Sequence, residues 1–247
     1  MAGAASRWAS AWVAERPGFH VLNHAQRRGK LATLKALVSR ATAAERPATE
    51  RPDLLVFTDA NTRFEPDALR RLAAAFADAN VGGVCGELVF HQVPGGTTAE
   101  GTYWRWETRL KAAESALDSC LGANGAIYAL RSALFWTAVP DNVVVDDFVL
   151  GMKVREQGRR MLYEPRARAH EELPPAVAHE WRRRVRIGAG AFQALVLCRR
   201  CLLPRYGQFA WMFWSHKVLR WFTPHLLLAW LALGTAGVVR GGPPVAV

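Results

Sequence analysis

Short runs rich in β-forming residues alternate along the chain with segments whose apolar side chains recur at helical spacing. The runs cover residues 19–23, 54–57, 81–90, 127–130 and 158–165, and their composition is typical of buried strands. Helix-spaced segments cover residues 2–15, 29–43, 66–76 and 99–117. Because strands that alternate with helices form βαβ units, the pattern predicts an α/β fold with a mostly parallel sheet flanked by helices.

Two polar residues follow the run at 54–57, namely Asp59 and Asn61. Ligands of open α/β sheets collect at the carboxyl ends of strands. A carboxylate at such an end, beside a second oxygen ligand, can hold a divalent cation against a diphosphate. The same two residues could instead form a turn and cap the next helix. Both interpretations stay open from these residues alone.

A second acidic pair, Asp146 and Asp147, follows the β-branched run at 143–145. A helix is predicted to begin there. Carboxylates are stabilised at a helix amino end, so capping explains the pair without any catalytic role. The functional alternative makes one of the two a general base.

Glycines surround Asn124 in the segment 122–125, where Gly122 and Gly125 predict a backbone that passes close to another group. A strand is expected directly behind this loop. As a phosphate-binding loop the segment is a weak match, since no Gly-Lys-Ser/Thr follows it.

The net charge of +11 predicts an acidic partner, which could be nucleic acid, an anionic membrane or a phosphorylated substrate. Lys30 stands at the amino end of a predicted helix, where a bound anion or a solvated basic turn would each explain it. Arg183 and Arg186 belong to a cluster at 182–186. No recognition-helix motif or aromatic stacking array lies nearby, so no nucleic acid is expected as a partner.

The last part of the chain is apolar and aromatic. Residues 209–220 mix Trp with Lys and Arg, which is typical of a helix in a membrane interface. Residues 221–239 carry no charge, which predicts a transmembrane helix within 219–240, with a buried core helix as the alternative. Lys217 and Arg220 precede it, so the catalytic part is expected on the cytoplasmic side of the cell inner membrane.

Taken together, these motifs resemble the family 2 glycosyltransferases, the group that includes cellulose, chitin and hyaluronan synthases. Residues 28–30 resemble the family's basic Gly-Lys segment, and residues 58–61 its DxD metal motif with Asn61 in place of the second Asp. Residues 122–125 are similar to the acceptor-side loop, and residues 145–147 to the ED motif. In the position of Q-x-x-R-W, Arg186 matches, while Arg183 replaces Gln and Ile187 replaces Trp.

The resemblance implies a GT-A-like domain over residues 1–176, basic and amphipathic interfacial helices over 177–218, and the transmembrane helix. It implies transfer of a sugar, with inversion, from a nucleotide-sugar, expected to be UDP-linked, to a hydroxyl of a saccharide or lipid-linked acceptor at a membrane.

The resemblance also assigns roles to individual residues. Asp147 would be the base, while Asp59 and Asn61 would hold Mg²⁺ or Mn²⁺. The substrates would be bound by Lys30, Asp146, Gly122, Asn124, Gly125, Arg183 and Arg186.

The family's opening strand, its nucleotide-binding acid and its second strand have no counterpart in this sequence. The chain is therefore expected to begin after them. A non-catalytic, membrane-bound remnant of such an enzyme is the alternative function.

Overall fold

The computed structural model describes residues 10–11, 13, 15–16, 18–26, 28–91, 98–172 and 177–239. The chain divides into two compact units. The first contains residues 1–52 and 140–142, and the second contains residues 53–139 and 143–247. The predicted segments 1–176, 177–218 and 219–240 divide the chain by expected function, whereas the two units divide it by compactness. These segments stay a prediction.

The first unit is built on helix α1, Lys30–Ala41, which confirms the helix predicted at 29–43 and buries Leu31 and Val38. On this helix Lys35 Nζ lies 2.6 Å from Asp141 Oδ1. A short 3₁₀ turn, Ala48–Glu50, follows.

Two predictions for the amino end have different outcomes. Residues 19–23 form no strand; that prediction is wrong, because a strand needs a neighbour to satisfy its backbone groups and none pairs with this described segment. Residues 10, 11 and 13 are helical, while residues 1–9 of the predicted first helix lie outside the described part of the chain.

The second unit contains a five-stranded sheet. Its strands are β1 Leu54–Thr58, β2 Arg63–Phe64, β3 Val81–His91, β4 Ile127–Arg131 and β5 Arg160–Glu172. The strands predicted at 54–57, 81–90, 127–130 and 158–165 are therefore confirmed. Three helices of this unit are α2 Ala68–Ala74, α3 Thr98–Leu117 and α4 Asp146–Glu156.

The sheet is mixed, so the prediction of a mostly parallel sheet is wrong. The strand order is β1-β4-β3-β5-β2. Strand β4 runs antiparallel to both β1 and β3, and β2 runs antiparallel to β5. Only the β3–β5 pairing, among the described strands, is parallel. Apolar composition indicates that a strand is buried but not in which direction it runs, and β4 is inserted between its neighbours in reverse.

Helix α2 covers one face of the sheet and completes an apolar core. Leu72 of α2 is fully buried against this face, together with Val84 of β3 and Ile127 of β4. Arg131, at the end of β4, ties the sheet to the end of this helical segment: its guanidinium donates to the carbonyl oxygens of Val81 at 2.7 Å and Phe76 at 2.8 Å. This packing holds strands β1 and β4 in place, and residues at the ends of these strands belong to the candidate site.

The carboxyl-terminal part of the unit is helical. Helix α5, Val177–Leu197, leads through short 3₁₀ turns to α6, Gln208–Met212. A π-helical turn, Phe213–Val218, then continues directly into α7, Leu219–Val239. Residues 209–220, predicted as one amphipathic interfacial helix, are thus divided among three elements. Phe209 and Phe213 are fully buried within the unit, while Trp211 is 73% exposed.

The predicted transmembrane helix at 219–240 is not supported. Among the residues that the structure describes, no helix is both long enough and apolar enough to cross a membrane. In α7, Arg220, Thr223 and His225 lower the mean hydropathy, and Pro224 interrupts the backbone hydrogen bonding inside the helix.

A buried ion-pair cluster joins α3 to the π turn. Lys217 Nζ lies 2.5 Å from Glu107 Oε1, and Arg220 Nη1 lies 3.0 Å from Glu107 Oε2. Burial opposes ionisation of Glu107, but the charges of Lys217 and Arg220 outweigh it and lower its pKa to about 2. The ammonium of Lys217 is itself buried, which lowers its pKa, and Glu107 counteracts that effect. The carboxylate therefore compensates a buried cation.

Candidate active site

The carboxyl end of β1 supplies the first acidic centre. Asp59 directly follows the strand and is half-buried, while Asn61 is exposed. The carbonyl oxygen of Asp59 accepts a hydrogen bond from the Thr62 backbone N–H at 3.2 Å, so the segment does form a turn. It does not cap the next helix, because α2 begins at Ala68 and its N-cap position is Asp67. The capping alternative for Asp59 and Asn61 is therefore excluded.

The amino end of α4 supplies the second acidic centre. Asp146 is buried and Asp147 is half-buried, and both lie in the first turn, after the N-cap residue Val145. Oδ1 of Asp147 accepts a hydrogen bond from the backbone N–H of Phe148 at 2.9 Å. The helix dipole therefore stabilises both carboxylates here. This stabilisation is compatible with a catalytic role.

The glycine loop packs against that same helix end. Gly122 adopts φ +78, and a Cβ on it would lie 2.5 Å from Cδ2 of Phe148. A Cβ on Gly151 of α4 would lie 2.9 Å from the Cα of Gly122. A Cβ on Gly125 would lie 3.0 Å from Oδ2 of Asp147. The group that the backbone approaches closely is therefore helix α4, and the predicted substrate contacts of Gly122 and Gly125 stay predictions.

Asn124 anchors the loop to the sheet. Its Nδ2 donates to the carbonyl oxygen of Gly86 in β3 at 2.7 Å. This bond uses one amide N–H of Asn124 and attaches the loop to β3. Its predicted substrate contact also stays a prediction.

Tyr128 of β4 connects the two acidic centres. Its side chain is 1% exposed, and its ring stacks on Phe57 of β1 with centroids 4.6 Å apart. Burial, followed by the charges of Asp147, Asp146 and Asp59, raises the pKa of the phenol well above its usual value. Geometry places the two centres together: Thr58, just before Asp59, pairs with Ile127, and Gly125, just before β4, lies against Asp147, so both centres lie at the start of β4.

The predicted basic residues have different outcomes. Arg183 and Arg186 are exposed on α5. Two further residues of α5 lie against the segment before α4. Gln193 Oε1 accepts from the Val144 backbone N–H at 3.2 Å, and a Cβ on Gly190 would lie 2.9 Å from Val144 Cβ. Lys30 is exposed in the first compact unit.

The residues near β1 are compatible with a cation that is shared with a substrate. In the described part of the chain, no group of three or more His, Cys, Asp or Glu side chains could hold a metal by itself. Mg²⁺ commonly takes one or two carboxylates and completes its shell with water and substrate phosphates. The carboxylate of Asp59 and the amide oxygen of Asn61 fit that partial ligand set.

Three aromatic residues of this region were not predicted from the sequence as part of the site. The sequence pattern places Tyr128 and Phe57 in strands and predicts no role for them in a site. Phe148 follows Asp147 and contacts the rings of Phe213 and Trp221, with centroids 6.0 and 5.7 Å apart. The sequence feature that could identify Tyr128 is its phenol group, which lies in the otherwise apolar strand at 127–130, directly behind a glycine loop.

The fold has a known counterpart. Over 77% of this chain and 50% of the other, it matches the solved structure of mannosyltransferase PcManGT from Pyrobaculum calidifontis in complex with GDP-Man and Mn²⁺, with a TM-score of 0.59 and 22% identity. This match shows a shared GT-A-like α/β fold, and the chain spans about half the length of that protein. Among curated proteins, no relative of the chain was found.

The family model described as glycosyl transferase family group 2 matches residues 54–240, which is most of the chain. The resemblance inferred from the order of the sequence motifs is thereby confirmed. The chain belongs to glycosyl transferase family group 2.

Proposed function

We propose that this chain transfers a sugar from a nucleotide-sugar to an acceptor hydroxyl, with inversion at the anomeric carbon. One observation carries the proposal: Thr58, which precedes Asp59, pairs with Ile127 at the start of β4, and a Cβ on Gly125 of the loop before β4 would lie 3.0 Å from Oδ2 of Asp147, so both acidic centres lie at the same end of β4. Family membership supports the reaction class. The solved neighbour, which is in complex with GDP-Man and Mn²⁺, supports a nucleoside diphosphate as the leaving group and a divalent cation as its counter-ion.

Asp147 is the general base of the proposed reaction. Its carboxylate takes the proton of the acceptor hydroxyl while the acceptor oxygen forms a bond to the anomeric carbon. The bond between that carbon and the diphosphate oxygen breaks, and its electron pair leaves with the nucleoside diphosphate. Attack on the face opposite the leaving group produces inversion. Buried Asp146, next along α4, orients Asp147 or contacts the acceptor.

Asp59 and Asn61 would hold Mg²⁺ or Mn²⁺ together with the donor's diphosphate. The cation, when bound, neutralises charge on the leaving group. Arg183 and Arg186 are proposed to bind the diphosphate through charge-assisted hydrogen bonds. Gly122, Asn124 and Gly125 form the acceptor side, and the acceptor is a saccharide or a lipid-linked hydroxyl.

The test is a turnover assay over a panel of UDP- and GDP-linked sugars with Mn²⁺, using membrane extracts as the source of acceptor. The expected result is release of UDP or GDP together with a glycosylated product of inverted configuration, both abolished by EDTA. Calorimetric titration with UDP or GDP plus Mn²⁺ accompanies the assay. Absence of turnover would contradict the proposal, and absence of nucleotide binding as well would favour a non-catalytic remnant.

The chain is also proposed to associate with the cytoplasmic face of the cell inner membrane. The support is an exposed apolar surface on α7, where Leu228 is 67% and Leu233 is 74% exposed, and the exposed cation Arg199, which lines a cavity together with Phe222 and Leu226 of that helix. Apolar side chains beside cations favour an anionic lipid surface. Flotation with phosphatidylglycerol vesicles and its loss with phosphatidylcholine vesicles are expected. Failure to float with either lipid would refute the association.

A further inference from the structure

Tyr128 combines three properties that a purely structural core tyrosine does not need. Its side chain is almost completely buried. Its Oη meets no hydrogen-bond partner among the described residues. Its ring is fixed by stacking on Phe57 at an interplanar angle of 12°, so the phenol oxygen has little freedom to find a partner elsewhere.

A buried hydroxyl without a hydrogen-bond partner destabilises a fold, because the loss of its hydration is not compensated. Phenylalanine would fill the same volume and pack on Phe57 equally well without that cost. The cost of burying the hydroxyl would be compensated if it gained a hydrogen-bond partner when the substrates bind.

The surroundings of the hydroxyl determine what it can do. Asp147, Asp146 and Asp59 disfavour a phenolate and, with burial, raise the pKa of Tyr128, so the phenol keeps its proton. The ionised carboxylates can only accept hydrogen bonds. The protonated phenol of Tyr128 is therefore a hydrogen-bond donor, and the neighbouring carboxylates are acceptors.

Asp147 is the acceptor that the geometry favours. A Cβ on Gly125, three residues before Tyr128, would lie 3.0 Å from this carboxylate, so Asp147 lies at the end of β4 that carries Tyr128. Its Oδ1 is already held by the Phe148 backbone N–H, while Oδ2 faces Gly125 of the loop that leads into β4. A further donor from Tyr128 would hold the carboxylate plane in one orientation, as a general base requires.

We propose that Tyr128 is a positioning residue of the transfer reaction, whose phenol O–H donates a hydrogen bond to the Asp147 carboxylate when the substrates are bound. This inference rests on the proposed function. It adds a residue from the middle of the sheet to the site, and that residue acts through Asp147 without touching either substrate.

The test compares Tyr128→Phe with Tyr163→Phe. Tyr163 is a matched control, because it also lies in the sheet with a buried Oη, but this Oη has the Thr108 side chain as a hydrogen-bonding neighbour. Its charged surroundings include Glu87 in place of the three aspartates. For Tyr128→Phe, kcat is expected to fall about 10- to 100-fold, which corresponds to one hydrogen bond to a charged group. KM for the donor should not change, and the midpoint of thermal unfolding should rise, because the buried hydroxyl without a partner is removed.

Three results would overturn the inference: an unchanged kcat in Tyr128→Phe, an equal fall in Tyr163→Phe, or a loss of UDP–Mn²⁺ binding as large as the loss of kcat. The last would assign the phenol to Asp59 instead of Asp147. Wild-type turnover is measured first. A wild type without turnover refutes the proposed function, whereas an active wild type matched by Tyr128→Phe refutes only the role of Tyr128.

Discussion

A Cβ atom on Gly125 would lie 3.0 Å from Oδ2 of Asp147, so the absence of a side chain at position 125 leaves room for the carboxylate. This contact is tighter than ordinary van der Waals separation. The glycine loop and the start of α4 are therefore fitted to each other at the atom proposed to accept the proton. The loop limits where that carboxylate can lie.

Gly125→Ala should displace the Asp147 carboxylate by a few tenths of an ångström. We expect kcat to fall, because a general base must lie within hydrogen-bonding distance of the proton that it removes. Thermal stability should change little, since the carboxylate is half-buried and can move. Steady-state kinetics and a thermal melt measure the two effects.

Gly188→Ala is the matched control for this substitution. Gly188 lies on α5, and a Cβ on it would have no neighbour within 4 Å. Alanine should stabilise the helix by up to about 1 kcal/mol without altering turnover. Equal kcat values in Gly125→Ala and the wild type would show that the close approach has no catalytic consequence.

Asp59→Asn and Asp147→Asn should fail in different ways. Loss of the Asp59 carboxylate is expected to weaken the binding of UDP or GDP with Mn²⁺, because the shared cation loses a charged ligand. Loss of the Asp147 carboxylate should abolish turnover and leave nucleotide binding intact, because the amide cannot take a proton. Calorimetry and product release separate the two. If Asp147→Asn retained turnover, its role as base would be wrong.

Glu107→Gln should destabilise the fold by about 3 kcal/mol at neutral pH, since it leaves the buried ammonium of Lys217 without a compensating charge. The pKa of Glu107 is about 2 in the folded chain against an ordinary 4.5. Because the folded value is lowered, the stabilisation is present above pH 4.5 and is lost as the pH falls towards about 2. Urea unfolding of both chains between pH 3 and pH 7 measures this dependence.

Glu50→Gln provides the comparison for Glu107. Glu50 pairs with Arg46 at 3.3 Å, and both side chains are largely exposed. An exposed pair of this type contributes less than about 1 kcal/mol. A difference between wild type and Glu107→Gln that stays constant across this pH range would contradict the assigned pKa.

All four cysteines are expected to resist a thiol reagent in the native chain. Cys85, Cys120, Cys198 and Cys201 are free and buried. A hydrogen bond from Cys120 lowers the pKa of Cys85 to about 7, which favours the thiolate, but the reagent must also reach the sulfur. Burial of the sulfur atoms should outweigh the lowered pKa of Cys85. The thiols should therefore react with dithionitrobenzoate only after the chain unfolds. Rapid modification of one thiol in the native chain would show that Cys85 reactivity outweighs burial.

The sequence allowed the elements and the acidic centres to be predicted, but not their assembly. Strand β1 and helix α4 were predictable because apolar runs and helix-start residues are local signals. The reversed direction of β4 could not be predicted, since it depends on pairings with β1 and β3. The position of Tyr128 among Asp59, Asp146 and Asp147 depends on that same insertion, and for this reason a residue assigned only to a strand became part of the candidate site.

The π turn at Phe213–Val218 determines the rotational phase of everything that follows it. One residue advances an α-helix by about 100°, and a π turn accommodates about one residue more than an α-helical turn. Deleting a single residue there would rotate Arg220 away from Glu107 and Trp221 away from Phe148, even though no side chain of the acidic centres had changed. The number of residues in that turn, independently of their chemistry, sets the orientation of the final helix relative to α3 and α4.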